Sequence, residues 1–511
     1  MKKYIMLTVL FCLFGLVACY DDDSVLGTKK VGKITIGELG DASIISYSGD
    51  KLEREPKIET DYSNDQLTYA WYLYKDGQKG DYQANKIDSV KNLSYEISLP
   101  SGNYVVVLEV TARENSYAAV AEMKLTVSTP FSQGFYVLKE TAEGTTELDV
   151  YTQEGLMKDL LTQSQGKPMK GAPRNLSVCY DQAFIDTKDN EMALGNTVCI
   201  TTETNEIACF RTEDMLKVFD KSNLFFEETG QDEIPYCMLR GVWMTFYFSN
   251  TGVRANMGGD ISLSSGKLGF PLDNGSSKYV QLVGGMDMVY WNSNRHRLML
   301  IDYNCVNVTE IENKTTVNQD NLECLTSGLN TIGATFAKVE TIYFLCQDKT
   351  TGIRYLYLLS GGAITEIRPL NSGLHLAQGE IIAGCGLSGT LIYCVHNNKL
   401  YGYNFETGTE TEIPVSELST GNTISYISNQ YWNMSPFIDT SLNFDYVVVG
   451  MQKGNDYTVY MYNIQGGQPY GEPVAVFSGK GKLRSVRYVS QVTGIFEAMR
   501  VIPFTGSCFP Y

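Results

Sequence analysis

His296, His375 and His396 are the only imidazoles that this 511-residue chain offers for metal ligation or a catalytic relay. A zinc hydrolase of the common helical type needs two His one turn apart beside a Glu, and no H-E-x-x-H occurs. His296 stands between Arg295 and Arg297 in an expected hairpin and reads as a turn residue. A serine hydrolase would show a Gly-x-Ser-x-Gly elbow; Gly386-Leu387-Ser388-Gly389 carries part of that pattern and leads into a strand. Glycoside hydrolysis requires only two carboxylates about 5 to 10 Å apart. The chain has 58 acidic residues and no local signature for such a pair. Calcium loops of the D-x-D-x-D-G kind and phosphate-cradling Gly-rich loops are missing from the sequence. The reading is therefore a non-enzyme, with no catalytic residue, no metal and no cofactor. What remains is aromatic surface. Trp291 beside Asn292, and Tyr431 beside Trp432, place rings next to polar amides near expected turns, an arrangement that can stack on sugar faces or hold peptide side chains. These four are the candidate ligand-binding residues; the competing reading is aromatic packing inside the fold.

Composition narrows the partners. Lys and Arg number 41 against 58 Asp and Glu, a net charge of −17, which repels a phosphate backbone and argues against nucleic acid. Hydrophobic residues make up 43% and charged ones 19%, with 34 Tyr against 4 Trp, a balance that favours strands over charged helices. Beyond position 19 the cysteines lie in mostly apolar strand contexts without a C-x-x-C, so buried free thiols are expected. Cys199 and Cys209 are equidistant from Thr204 in an expected hairpin, which leaves a cross-strand disulfide open there.

Residues 1–18 read as a signal peptide, with Lys2 and Lys3 ahead of an apolar run that is short for a membrane span. Leu16-Val17-Ala18-Cys19 resembles the bacterial lipobox, which implies that Cys19 is the lipid attachment site. Asp21, Asp22 and Asp23 resemble the acidic export signal by which Bacteroides-type bacteria send lipoproteins to the cell surface. Residues 19–30 are then an acidic linker. The expected location is the extracellular face of the outer membrane, held by acyl chains.

The elements that must carry any site are all β. Residues 31–128 show strands at 33–36, 67–74, 94–99, 104–111 and 123–127, the spacing of a β-sandwich. Tyr69-Ala70-Trp71, followed by Leu99-Pro100-Ser101-Gly102 and the run 103–110, resembles the PKD/Ig-like sandwich of Bacteroidetes lipoproteins, which implies a core role for Trp71. From 131 to 511 the chain repeats an apolar strand, a polar turn and an apolar-x-aromatic strand. Units starting near 135, 198, 246, 286, 341, 390 and 446 predict a β-propeller-like domain of about seven blades, with a long β-helix as the other solution. Asn and Gly pairs such as Asn397-Asn398 and Gly454-Asn455 supply the tight turns. Short helical inserts are expected at Thr152 to Gln163 and Glu213 to Asp220.

Taken together, lipobox, acidic signal, sandwich and the stretch Gly134-Phe135-Tyr136-Val137-Leu138-Lys139-Glu140 resemble the PKD-like family of Bacteroidetes surface lipoproteins. That resemblance implies an accessory subunit of a nutrient importer, with a SusC-type TonB-dependent transporter and a SusD-type lipoprotein as partners and a peptide or glycan as ligand. A surface propeller glycoside hydrolase or lyase, and an adhesion or structural lipoprotein, are the alternatives.

Overall fold

A computed structural model of the chain describes residues 31–490, apart from 46–50, 78–81, 98, 100–101, 187–189, 242–243, 258–264, 284–286, 303–306, 314–316, 333–338, 385–388, 419–420 and 433–443. Cys19 and Asp21 to Asp23 lie outside the described residues. The chain divides into two compact units, Met1–Val127 and Ser128–Tyr511. Among the described residues no helix is long and apolar enough to cross a membrane.

In the first unit, Leu67–Lys75 is the fourth strand of a five-stranded sheet, hydrogen-bonded to Gly102–Ala112, which pairs in turn with Ala118–Ser128. Two two-stranded sheets accompany it: the expected strand Ile34–Ile36 pairs with Ile58–Thr60, and the expected Leu93–Glu96 pairs with Lys51–Arg54; Ile58–Thr60 and Lys51–Arg54 are absent from the sequence reading. Alternation along Gly102–Ala112 sends Val106, Leu108 and Val110 inward against Trp71 and Leu93. Trp71 is fully buried, and its indole N–H donates to the Val90 carbonyl at 2.9 Å. Trp71→Phe deletes that bond and leaves a void, so the sandwich is expected to lose about 2 kcal/mol. A urea midpoint followed by far-ultraviolet circular dichroism checks it.

The second unit holds seven four-stranded antiparallel sheets among its described residues. Six are built from consecutive strands, and their innermost members are Pro173–Ile185, Pro235–Arg240, Val280–Val283, Leu322–Ile332, Ile381–Ala383 and Thr423–Trp432. The seventh joins the two ends of the unit: Lys482–Val489 supplies the innermost strand beside Gly134–Glu140, Thr146–Thr152 and Gly155–Met157. Lys482–Val489 also packs against Pro173–Ile185 on one side and Thr423–Trp432 on the other. The ring is thereby closed by a sheet whose strands come from both ends of the unit. This is the β-propeller, here with seven blades; the sheet closed by Lys482–Val489 is blade 1, and blades 2 to 7 follow in chain order.

The sequence units prove to be one strand out of phase. Their starts fall on the second strands, such as Asp287–Asn292 and Leu391–His396. Innermost strands bury polar side chains, including Asn175, Ser177, Gln281, Ser327 and Ser485, so they do not read as apolar runs. The expected helices are also revised. Lys217–Asp220 is the outer strand of blade 2, while Gly155–Met157 is the outer strand of blade 1. In the first of these inserts helix forms over Leu160–Gln165, where the Glu147 carboxylate accepts the N–H groups of Leu161 and Thr162 at 2.7 and 3.0 Å.

The abundance of tyrosine has a packing cause. Tyr136, Tyr247, Tyr290, Tyr343 and Tyr393 occupy second strands and are fully buried between sheets. Two cross-strand pairs set Tyr343 against Gly328 and Tyr457 against Gly479, where a Cβ would lie 2.3 and 2.4 Å from the phenol ring and oxygen. Glycine is needed there for close approach. Cys199 and Cys209 oppose one another in register and are bonded, whereas Cys179, Cys237, Cys324, Cys346 and Cys394 are buried thiols.

Candidate functional site

Innermost strands of a propeller point their starts at one end of the central channel, and in this chain those starts are irregular. Strand Pro173–Ile185 pairs Pro173 with Thr202 and Asn175 with Thr201, skipping Arg174. The same one-residue bulge skips Tyr236 in blade 3, Ser425 in blade 7 and Arg484 in blade 1. Blade 4 reaches an equivalent result by a loop. Ser277 N–H donates to the Trp291 carbonyl at 2.9 Å and Trp291 N–H to the Tyr279 carbonyl at 3.1 Å, which leaves Lys278 standing between the two bonds. A bulge turns a side chain away from the face its neighbours bury. Arg174, Tyr236, Lys278, Ser425 and Arg484 are accordingly all part-exposed, each within a buried strand start.

Four of these side chains, Arg174, Tyr236, Lys278 and Arg484, line a cavity of about 480 Å³ at the channel mouth, walled also by Tyr279 and Trp291. A second hollow of about 360 Å³, reaching Thr423 and Ser425, shares Glu203 and Arg484 with it. The charges are unevenly matched. Arg174 is committed, donating to the Pro235 carbonyl at 2.8 Å and to Glu203 at 3.1 Å. Lys349 and Glu323 form a loose pair at 3.8 Å. Lys278 and Arg484 have no carboxylate partner among the described residues; Lys278 Nζ lies over the Tyr279 ring at 5.3 Å, and Arg484 Nε is buried without an acceptor. Burial pushes Lys278 below the ordinary lysine value, and the charges of Arg484 and Arg174 push the same way. His296 lines the same cavity from a left-handed turn position, with Nδ1–H donating to the Leu322 carbonyl at 2.7 Å. Among the described residues no group of His, Cys, Asp and Glu is arranged to hold a metal.

The four residues chosen from sequence fall on two separate strands, Trp291 and Asn292 on Asp287–Asn292 of blade 4 and Tyr431 and Trp432 on Thr423–Trp432 of blade 7. Trp291 is 1% exposed and belongs to the core shared by blades 3, 4 and 5, presenting only an edge to the cavity. Asn292 is fully buried and spent on its turn: it donates to Asp273 and the Asn274 carbonyl and accepts from Asn294 and Arg295. Tyr431 is buried eight residues beyond Thr423 on one strand, about 26 Å along the channel from the funnel. The Trp432 side chain lies outside the described residues. Sequence reasoning missed Arg174, Lys278 and Arg484 altogether. Their signal is a single cation set into an otherwise apolar or small-residue strand start, as in Pro173-Arg174-Asn175 and Leu483-Arg484-Ser485.

Residues 19–173 match the model of the PKD-like family. That match takes in the whole sandwich and the first three strands of the propeller. No curated protein matches the chain. Among solved structures, a quinoprotein alcohol dehydrogenase-like protein from Bacteroides thetaiotaomicron is 11% identical, covering 88% of this chain and 97% of its own, with a TM-score of 0.41. BamB from Moraxella catarrhalis is likewise 11% identical, over 69% of this chain and 85% of its own, with a TM-score of 0.33. Likenesses this remote say nothing of activity.

Proposed function

We propose that this chain is a non-enzymatic lipoprotein of the outer membrane, anchored through Cys19 and exposed on the extracellular face, that captures oligopeptides or oligosaccharides for a SusC/SusD-type importer. The observation that carries capture is the funnel. It is an open, aromatic-walled hollow at the mouth of a rigid channel, with polar side chains delivered into it by bulges on separate blades. Anchor and partners rest on the lipobox, on Asp21 to Asp23 and on the PKD-like match over residues 19–173. Glu203 and Glu323 also line the cavity, which is what a glycoside hydrolase or lyase would ask for. Glu203 is tied to Arg174 at 3.1 Å and Glu323 lies 3.8 Å from Lys349, which leaves that reading second.

The importer association is tested by tagging the full chain in its native cell, cross-linking, solubilising in a gentle detergent and identifying what is recovered with it. Co-recovery of a TonB-dependent transporter and its lid lipoprotein is the expected result. Recovery of the tagged chain alone, with and without cross-linker, overturns the association.

A further inference from the structure

The funnel carries more positive charge than its chain can explain. In a protein of net charge −17 the expected surface hollow is acidic. Here blades 2, 4 and 1 each contribute a cation, and only Arg174 is matched by a carboxylate within hydrogen-bond distance. Holding Lys278 and Arg484 half-buried with no carboxylate in ion-pair contact among the described residues costs stability, because a cation taken out of water loses hydration that is only partly replaced. The chain nevertheless holds both in place by construction. Arg484 is the extra residue of a bulge between Leu483, paired with Lys139, and Ser485, paired with Leu138. Lys278 is fixed by the two backbone bonds of Trp291.

We propose that the funnel binds a short carboxylate-bearing oligomer, gripped by Lys278 and Arg484 from separate blades and packed against Tyr236 and Tyr279. This deepens the capture reading and rests on it. Arg484 presents planar donors suited to a carboxylate, and Lys278 a point charge. Cations held on separate blades suit charges spaced along a chain better than one compact dianion, and the rim carboxylates Glu203 and Glu323 disfavour the higher charge density of phosphate. A cavity of about 480 Å³ lies within the usual range for small ligands. The carboxylate can come from a uronate sugar or an acidic peptide, and the test separates those sources.

The full chain is titrated calorimetrically with trigalacturonate, triglutamate, maltotriose, an end-blocked trialanine and inorganic phosphate. One of the two acidic trimers is expected to bind at least tenfold more tightly than its neutral counterpart and than phosphate, with affinity falling as salt rises. Lys278→Gln and Arg484→Gln are each expected to weaken it about tenfold, and Arg484→Lys to restore most of the loss. Lys124→Gln, which removes the same charge from an exposed site on the sandwich, is expected to change affinity less than twofold. Circular dichroism of every variant establishes that it is folded. Tighter binding of a neutral trimer overturns the carboxylate assignment while leaving capture standing. Equal binding of phosphate, unchanged affinity in folded Arg484→Gln, or no binding of either acidic trimer overturns it as well. A failed importer pull-down bears on the partner alone.

Discussion

Val486→Asp is expected to abolish the folded propeller. Val486 is fully buried on the strand Lys482–Val489, directly opposite Val137, in a cluster with Tyr426, Val448, Val459 and Leu483. That strand joins the two ends of the ring by backbone pairing with Gly134–Glu140, and its backbone also accepts the Tyr426 hydroxyl at 3.0 Å. A carboxyl placed there loses the apolar transfer energy of valine, about 2 kcal/mol, and adds an unsatisfied polar group worth several more. The total, roughly 5 kcal/mol or more, rivals the whole stability of a typical domain. The measurements are the soluble fraction on expression and protease resistance of residues 128–490. Val476→Asp, on the exposed outer strand of blade 7, is the control and is expected to be near neutral. The defect also has a pH sign. A buried carboxyl titrates above its unfolded value of about 3.9, so the native state holds more protons than the unfolded one between the two values. Stability of this variant relative to wild type therefore falls as pH rises, and it should be better folded at pH 5 than at pH 8. Equal folding at both, or a cooperative wild-type transition, would refute the closure argument.

Asp149→Ala is expected to cost about 3 to 5 kcal/mol by a different route. Asp149 is fully buried in blade 1, and its carboxylate accepts from Lys139 Nζ at 2.7 Å, from the Asp159 N–H at 2.8 Å and from the Tyr457 hydroxyl of blade 7. Burial and the Asp149 charge push the Tyr457 phenol far above its ordinary value, so it stays a donor at any physiological pH. Truncating Asp149 leaves the Lys139 ammonium, itself only 3% exposed, with Asp159 as its remaining carboxylate, and leaves Tyr457 unbonded at the blade 1–blade 7 seam. Most of the loss comes from leaving the buried cation with one half-exposed carboxylate and the Tyr457 hydroxyl without its acceptor, not from the net worth of the pair. The double variant Lys139→Met/Asp149→Leu should therefore recover more than half of it. Urea midpoints of wild type, both single variants and the double variant decide this; additive losses would show that the buried cation is not the cause.

How far the fold could be read in advance follows from which strands are apolar. Second and third strands of the blades bury side chains on both faces, as in Tyr446 to Met451 and Leu391 to His396, and they meet at turns where Asn397, Asn398 and Gly454 take left-handed conformations. Runs of that kind declare themselves, and so did Trp71. The innermost strands do not. Their buried partners include Asn175 Nδ2 on Ser177 Oγ and Gln281 Nε2 on Ser327 Oγ, polar contacts that look like loop in a linear sequence. The phase error of one strand, and the missed joining of Lys482–Val489 to Gly134–Glu140, share that origin.

The candidate site was less legible still. Trp291, Asn292 and Tyr431 have the right chemistry for binding, yet an aromatic beside an amide is equally what a buried blade turn requires; all three are buried, and of them Trp291 lines the cavity. Conversely, Arg174, Lys278 and Arg484 are 310 residues apart in sequence from first to last and share no motif.

By itself the sequence determined an all-β chain, a sandwich followed by a sevenfold repeat, and few means for metal or imidazole chemistry, because strand alternation, turn residues and composition act locally. Only the tertiary structure decided how the ring closes and which side chains face its mouth. Both depend on register between distant strands, where a single extra residue turns a side chain from the core toward the channel.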